Sequence, residues 1–199
     1  MKTFTGHGEQ MNVLYFDLEC RPGHWIGGDF VSKVITAAAW AWNGDDPALV
    51  THYERTPGEI ARMVADKLDE ADMVVGHYIR GFDLPLLNGE LMRNDDLPLS
   101  SVLALDTKLD LMTVHGRSQS QENLASQLGL EEPKVKVTLP EWEAFNGRED
   151  GADHKVRERV YGDVIQNRAM REALAEMGWL GAPNVWRPEK TKSGGFYRP

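Results

Sequence analysis

Apolar positions along the chain change their period several times, and each change marks an element. Asn12–Leu18 (NVLYFDL) is short, apolar and β-prone, and reads as a strand that ends among acidic residues. A loop rich in Gly and Pro follows. Lys33–Trp42 (KVITAAAWAW) is then apolar for long enough to be a central strand. Asn43-Gly44, with Asp45-Asp46-Pro47 behind it, signals a tight turn, and Ala48–Glu54 would return as a third strand to complete an antiparallel meander. Helical spacing begins at Thr56-Pro57-Gly58-Glu59, which supplies a cap, a proline at the first helical position and an acid in the first turn. Ile60, Val64 and Leu68 continue it. Met73–Gly76 is a short buried strand, Leu84–Met92 a helix, and Val102–Leu105 a fifth strand that ends at Asp106. Gln121–Leu128 is a small helix stopped by Gly129, and Val156–Glu176 a long one with Val156, Val160 and Val164 on one stripe and Gly178 at its end. A meander, then helix-strand-helix-strand, then helices, predicts a mixed α/β sheet covered by helices.

With 199 residues, 41% of them hydrophobic and 27% charged, the chain suits one domain with a substantial core. The organisation expected is an extension over residues 1–10, a domain over 11–181 and a basic tail over 182–199. Cys20 is the one cysteine, so no internal disulfide forms. Six histidines make no HxH pair and no CxxC is present, which speaks against zinc. No stretch is apolar enough to span a bilayer, and MKTFTGHGEQ lacks the apolar core of a signal peptide, so a cytoplasmic protein without membrane contact is expected. A net charge of −9 runs against binding nucleic acid by direct neutralisation of phosphates. Carboxylates that hold divalent cations escape that argument, because the cations then face the phosphates.

Three acidic segments bear on that alternative. Asp17 and Glu19 lie two apart at a strand end, hence on one face and about 7 Å apart along the backbone. Two carboxylates there are costly unless hydrated or met by a cation, and magnesium prefers oxygen ligands. Asp83 follows a buried strand and a glycine-containing turn in GHYIRGFDLPLL, where capping the next helix is the competing role. Asp163 lies between Val160 and Val164 beside the buried stripe of the last helix, with Arg159 one turn earlier as a candidate ion-pair partner.

FDLE, then GHYIRGFDLPLL, then a late helix carrying GDV, resembles the three exonuclease motifs of the DEDD superfamily. That superfamily includes polymerase proofreading (DnaQ-like) domains, ribonuclease D and oligoribonuclease. LDTKLDLM and SQSQENLASQLGL resemble its segment between the second and third motifs, and the resemblance runs from Val13 to Leu180. The chain looks most like small stand-alone members carried by bacteriophages and their hosts. The resemblance implies an RNase H-like fold with a five-stranded mixed sheet, three strands in an antiparallel meander and two parallel. It implies two-metal phosphodiester hydrolysis with two Mg2+, for which Mn2+ would substitute. Asp17, Glu19, Asp83 and Asp163 would be the catalytic metal ligands, with Asp17 bridging.

The third motif departs from the family. A Tyr four residues before the last Asp, or a His five before it, usually orients the attacking water; Arg159 and Glu158 stand there. Tyr161 is two residues from Asp163 and points to nearly the opposite side of a helix. His154 is a candidate general base if it reaches the site from a preceding loop, and Arg159, a poor base, is a candidate for holding a phosphate oxygen. Tyr78 replaces the usual Asn of the second motif, and Cys20 the usual Thr after the first. Leu18 and Cys20 are candidates for backbone contact with the terminal nucleotide, and His77, Lys134 and Lys136 for further nucleic-acid contacts. Competing roles are a packed histidine for His77 and solubilising charge for the lysines. Asp106 is either a fifth acid or a turn cap, and Trp40 and Trp42 alternate as core residues.

The activity expected is 3′-5′ exonucleolytic digestion of single-stranded nucleic acid, DNA before RNA, with replication or repair proteins as candidate partners. An RNA-trimming enzyme, an RNase H-like endonuclease or resolvase, and a lapsed module that binds nucleic acid or a polymerase are the alternatives.

Overall fold

The computed structural model describes residues 11–21, 33–115, 119–130 and 135–188. Strands β1 (Val13–Cys20), β2 (Ile35–Trp42) and β3 (Ala48–Thr51) form the antiparallel meander. β4 (Met73–Gly76) pairs parallel with β1, and β5 (Val102–Asp106) parallel with β4. The helices are α1 (Pro57–Glu70), α2 (Asp83–Arg93), α3 (Leu109–His115), α4 (Gln121–Gln127), α5 (Leu139–Asn146) and α6 (Asp153–Glu176). This is an α/β fold with a mixed sheet between helices, compatible with an RNase H-like exonuclease domain. Among the described residues no helix is long and apolar enough to cross a membrane.

A sixth strand, β6 (Asn184–Trp186), pairs antiparallel with β5, giving the order β3-β2-β1-β4-β5-β6. It lies within the segment expected as a tail. Trp186 draws it in: its side chain sits opposite Val102 and joins the core at 7% exposure. A strand of three residues is too short to leave a periodic signal, so the sheet has one strand more than the sequence pattern shows.

Local chemistry explains where α1 and α5 begin. Thr56 and Glu59 form the expected capping box: the Glu59 N–H donates to Thr56 Oγ1 (3.3 Å) and the Thr56 N–H to Glu59 Oε2 (2.7 Å). Thr138 and Glu141 start α5 in the same way, with the Thr138 N–H donating to Glu141 Oε2 (2.6 Å).

Strand alternation sorts the interior into two layers. Leu14, Phe16, Leu18, Ala38 and Trp40 face α1 and α2, where Ile60, Val64, Leu84 and Leu87 meet them. Val13, Tyr15, Ala37, Ala39 and Ala41 face the other way, against Val156, Val160 and Val164 of α6 and Phe145 of α5. The alanines let α6 approach the sheet closely. Asp17 and Glu19 continue the Val13–Tyr15 row, so alternation alone sends both to the α6 side. Their cross-strand partners are Ala39 and Ala37, whose short side chains leave space for the carboxylates.

Ala39→Leu should therefore overpack this layer and lower stability by about 1–3 kcal/mol, read as a reduced urea midpoint at unchanged slope. A variant as stable as the parent would show that α6 does not press on this face.

Candidate metal centre

The first two carboxylates stand at the C-terminal end of β1, where the register shifts between Glu19 and Cys20 and the strand leaves the regular ladder. α6 supplies the third from the opposite side. Asp163 is only 2% exposed and lies between two valines that pack on the sheet. One oxygen from each of Asp17, Glu19 and Asp163 can be chosen so that all lie within 4.8 Å of one another. Like charges at that separation repel and call for a positive partner.

Arg159 is one such partner. Its Nε–H donates to Glu19 Oε1 at 2.7 Å and stands 3.8 Å from Asp163 Oδ2. Nη1 donates to the carbonyl of Val135 at 3.1 Å, and the guanidinium lies 5.7 Å from the centre of the Trp142 ring. Burial works against its charge, but Glu19, Asp163 and Asp17 outweigh that and hold it more firmly protonated than an ordinary arginine. Gln121, buried at the start of α4, donates from Nε2 to the Asp163 carbonyl (3.1 Å) and reaches its carboxylate at 3.5 Å.

Asp83 opens α2 at 3% exposure and does not belong to the close group of three. Its Oδ1 accepts the Leu18 N–H at 3.1 Å, which ties the start of α2 to β1 between the two acids of that strand. Burial pushes its carboxyl up to about 8; the Leu18 hydrogen bond opposes this, while the charges of Asp106 and Glu19 add to it.

The turn that delivers Asp83 is braced from beneath. Asp106, fully buried, accepts N–H groups from Tyr78 (2.9 Å), Arg80 (2.9 Å), Lys108 (3.0 Å) and Leu109 (3.0 Å), so it caps the following turn and also grips the β4–α2 loop. Arg80 reaches on to Asp110. Both ring nitrogens of His77 have partners within the chain, Thr107 Oγ1 (2.9 Å) and the Gln119 carbonyl (3.0 Å), so its edges serve the scaffold. Tyr78 sits at φ 73°, in the left-handed region that asparagine adopts more readily. Lys108 lies 4.4 Å over its ring and helps hold it there.

Among the described residues, no other candidate His, Cys, Asp or Glu joins the close group of three. His154 is exposed in the first turn of α6, so the preceding-loop route to the centre is closed; nine residues of helix put it about half a turn out of phase with Asp163. Glu158 is exposed and Tyr161 half-buried. Leu18 is buried against α1 and α2, and Cys20 packs against the same layer with its thiol pushed up to about 12 by burial. Lys136 is exposed and lies 3.8 Å from Glu122, while Lys134 falls outside the described residues. Trp40 and Trp42 are core. Gln121 and the Val135–Trp142 support of Arg159 had no distinguishing pattern in the sequence, because each depends on segments that meet only in the fold.

The donor set is all carboxylate oxygen, with no imidazole or thiolate among the three, and therefore suits a hard divalent cation such as magnesium or manganese.

No protein-family model and no curated protein sequence matches the chain. Among solved structures, the fold is similar to that of the family B DNA polymerase from the hyperthermophilic archaeon Pyrobaculum calidifontis, with a TM-score of 0.69 and 16% sequence identity. The likeness covers 86% of this chain and 25% of the polymerase, so the chain spans about a quarter of that protein.

The raised carboxyl of Asp83 fixes a sign for stability against pH. The native state keeps the Asp83 proton up to about 8, whereas the unfolded chain releases it near the ordinary value of about 3.9. Over that window the folded protein binds more protons, so this group's contribution to stability falls as pH rises. In metal-free buffer, Asp83→Asn should flatten the decline between about pH 4 and 8, measured by urea midpoints across the range. Parallel pH profiles for parent and variant would refute the assignment.

Proposed function

We propose that the chain is a divalent-metal-dependent 3′-5′ exonuclease acting on the 3′ end of single-stranded DNA. The observation that carries this reading is the convergence of Asp17, Glu19 and Asp163 from two distant segments onto one face of the sheet. Two further features support it. The motifs resemble those of DEDD exonucleases, a superfamily that includes polymerase proofreading domains, and the fold is similar to part of a DNA polymerase.

On this reading Asp17, Glu19 and Asp163 hold the ion, with magnesium as the proposed species and manganese able to substitute. A divalent ion there would supply Lewis acidity, promoting deprotonation of the attacking water and offsetting charge that gathers on the phosphate. The protein's own contribution is placement. β1 presents two acids from a rigid strand, and α6 presents the third from a helix whose neighbouring valines are locked in the core. Asp83 completes the acidic surroundings and fixes the β1 backbone through the Leu18 N–H. The net charge of −9 ceases to be an obstacle, because a bound cation would face the phosphate in place of basic side chains.

A second reading draws on Arg159, which stands where relatives carry the water-orienting Tyr and is engaged with Glu19. It makes the chain a module that binds nucleic acid or a polymerase without cutting. One experiment separates the two. Linear and circular single strands, in DNA and RNA form, are incubated with Mg2+ and the products resolved. Exonuclease action releases mononucleotides from linear strands and leaves circles intact, with DNA degraded faster than RNA. Asp17→Asn and Asp163→Asn should each lower the rate by about 100-fold or more without lowering the melting temperature. Near-parent turnover in Asp17→Asn, or cutting of circles, would sink the proposal.

A further inference from the structure

Tyr78 is held in a backbone conformation that its residue type disfavours. Its φ of 73° lies in the left-handed region, where a bulky side chain is strained. The turn imposes that conformation. The Tyr78 N–H donates to Asp106 Oδ1 at 2.9 Å, and its carbonyl accepts the N–H groups of Gly81 (3.1 Å) and Phe82 (2.9 Å). The ring rests against Gly81, where a Cβ would overlap it. Burial does not repay the strain, because Tyr78 remains 37% exposed. Strain that the fold maintains around an exposed aromatic ring points to a use for the ring.

The surroundings indicate what that use is. The turn leaves β4 beside β1: Val75 pairs with Tyr15, and a Cβ on Gly76 would stand 3.1 Å from the carbonyl of Phe16, the residue before Asp17. It ends at Asp83, which holds the Leu18 N–H. Tyr78 is thus displayed at the carboxyl edge of the sheet, next to the strand end that carries two of the acids. Lys108, in the turn after β5, lies 4.4 Å over the ring and makes no ion pair among the described residues. Its contact with the ring is one that a flexible side chain can exchange for another. An aromatic face beside a lysine not engaged by an acid is the pairing that holds single-stranded nucleic acid, the ring stacking on a base and the cation meeting a phosphate.

We propose that Tyr78 and Lys108 form a stacking platform for a base at the 3′ end of the bound strand, with Lys108 moving from the ring to the neighbouring phosphate. This rests on the reading of the chain as acting on single-stranded DNA. A Tyr78 kept only to stabilise its turn would affect every strand alike, whereas a stacking Tyr78 acts only where a base is present.

The test uses the full chain in Ca2+ buffer and two 5′-labelled phosphorothioate DNA strands of equal length, one of them abasic at its 3′-terminal nucleotides, with binding read by fluorescence anisotropy. Tyr78→Gly should weaken binding of the complete strand by about tenfold or more and leave the abasic strand at parental affinity. Tyr78→Phe keeps the ring and should bind both strands as the parent does. Lys108→Gln should lower the slope of log affinity against log salt by about one. Tyr78→Gly should also unfold at no lower urea concentration than the parent, since glycine adopts this φ without strain. Parental affinity of Tyr78→Gly for the complete strand, or an equal loss on both strands, would overturn the inference and leave the exonuclease reading standing. No binding of either strand by the parent would overturn it as well, and digestion of the linear strand then shows whether the exonuclease reading falls with it. Should Tyr78→Gly fail to fold, Tyr78→Asn, which tolerates the same backbone, decides on the same two strands.

Discussion

The close packing of α6 on the alanine row of β2 is the contact on which the acidic centre depends. Three carboxylates within 4.8 Å would separate if the elements carrying them were free to move. They are not free, because Val156, Val160 and Val164 on α6 lie fully buried against Ala37, Ala39 and Ala41 and against Val13 and Tyr15. Each buried valine contributes on the order of 1.5–3 kcal/mol, enough together to oppose the repulsion that its neighbour Asp163 introduces. The small residues that bring the helix close to the sheet also stand opposite Asp17 and Glu19 in register. Ala37 and Ala39, alternate residues of β2, thereby serve both the packing of α6 and the space beside the two carboxylates.

The acidic residues divide their work by burial. Asp106 is surrounded by four backbone N–H donors and acts as the brace of the β4–α2 turn. Asp83, beside it, links that turn to β1 through a single strand N–H, at the expense of a carboxyl pushed toward its neutral form. Asp17 and Glu19 are less buried and lie toward the end of the strand. Arg159 tempers their charge, and its guanidinium is also held by the Val135 carbonyl and lies near the Trp142 ring. The result is a close group of acids that could hold a cation; on the proposed reading that cation would face an anionic polymer.

Much of this was legible in the sequence wherever a periodicity or a short-range rule governs the outcome. The alternation of β1 places Asp17 and Glu19 together, the valine stripe of α6 orients Asp163, and Thr56-Pro57-Gly58-Glu59 starts α1, because each depends on residues within a turn or two of one another. Only the tertiary structure could decide what meets what. β6 exists because Trp186 finds a site beside Val102, and Asp83 remains outside the close trio because the Asp106 brace fixes where its turn ends. Local rules pair Arg159 with Asp163, four residues away, yet the fold brings it closer to Glu19, 140 residues distant, since α6 crosses the end of β1 at that point. Pairing across such separations is set by how helices seat on the sheet, and no local pattern encodes that seating.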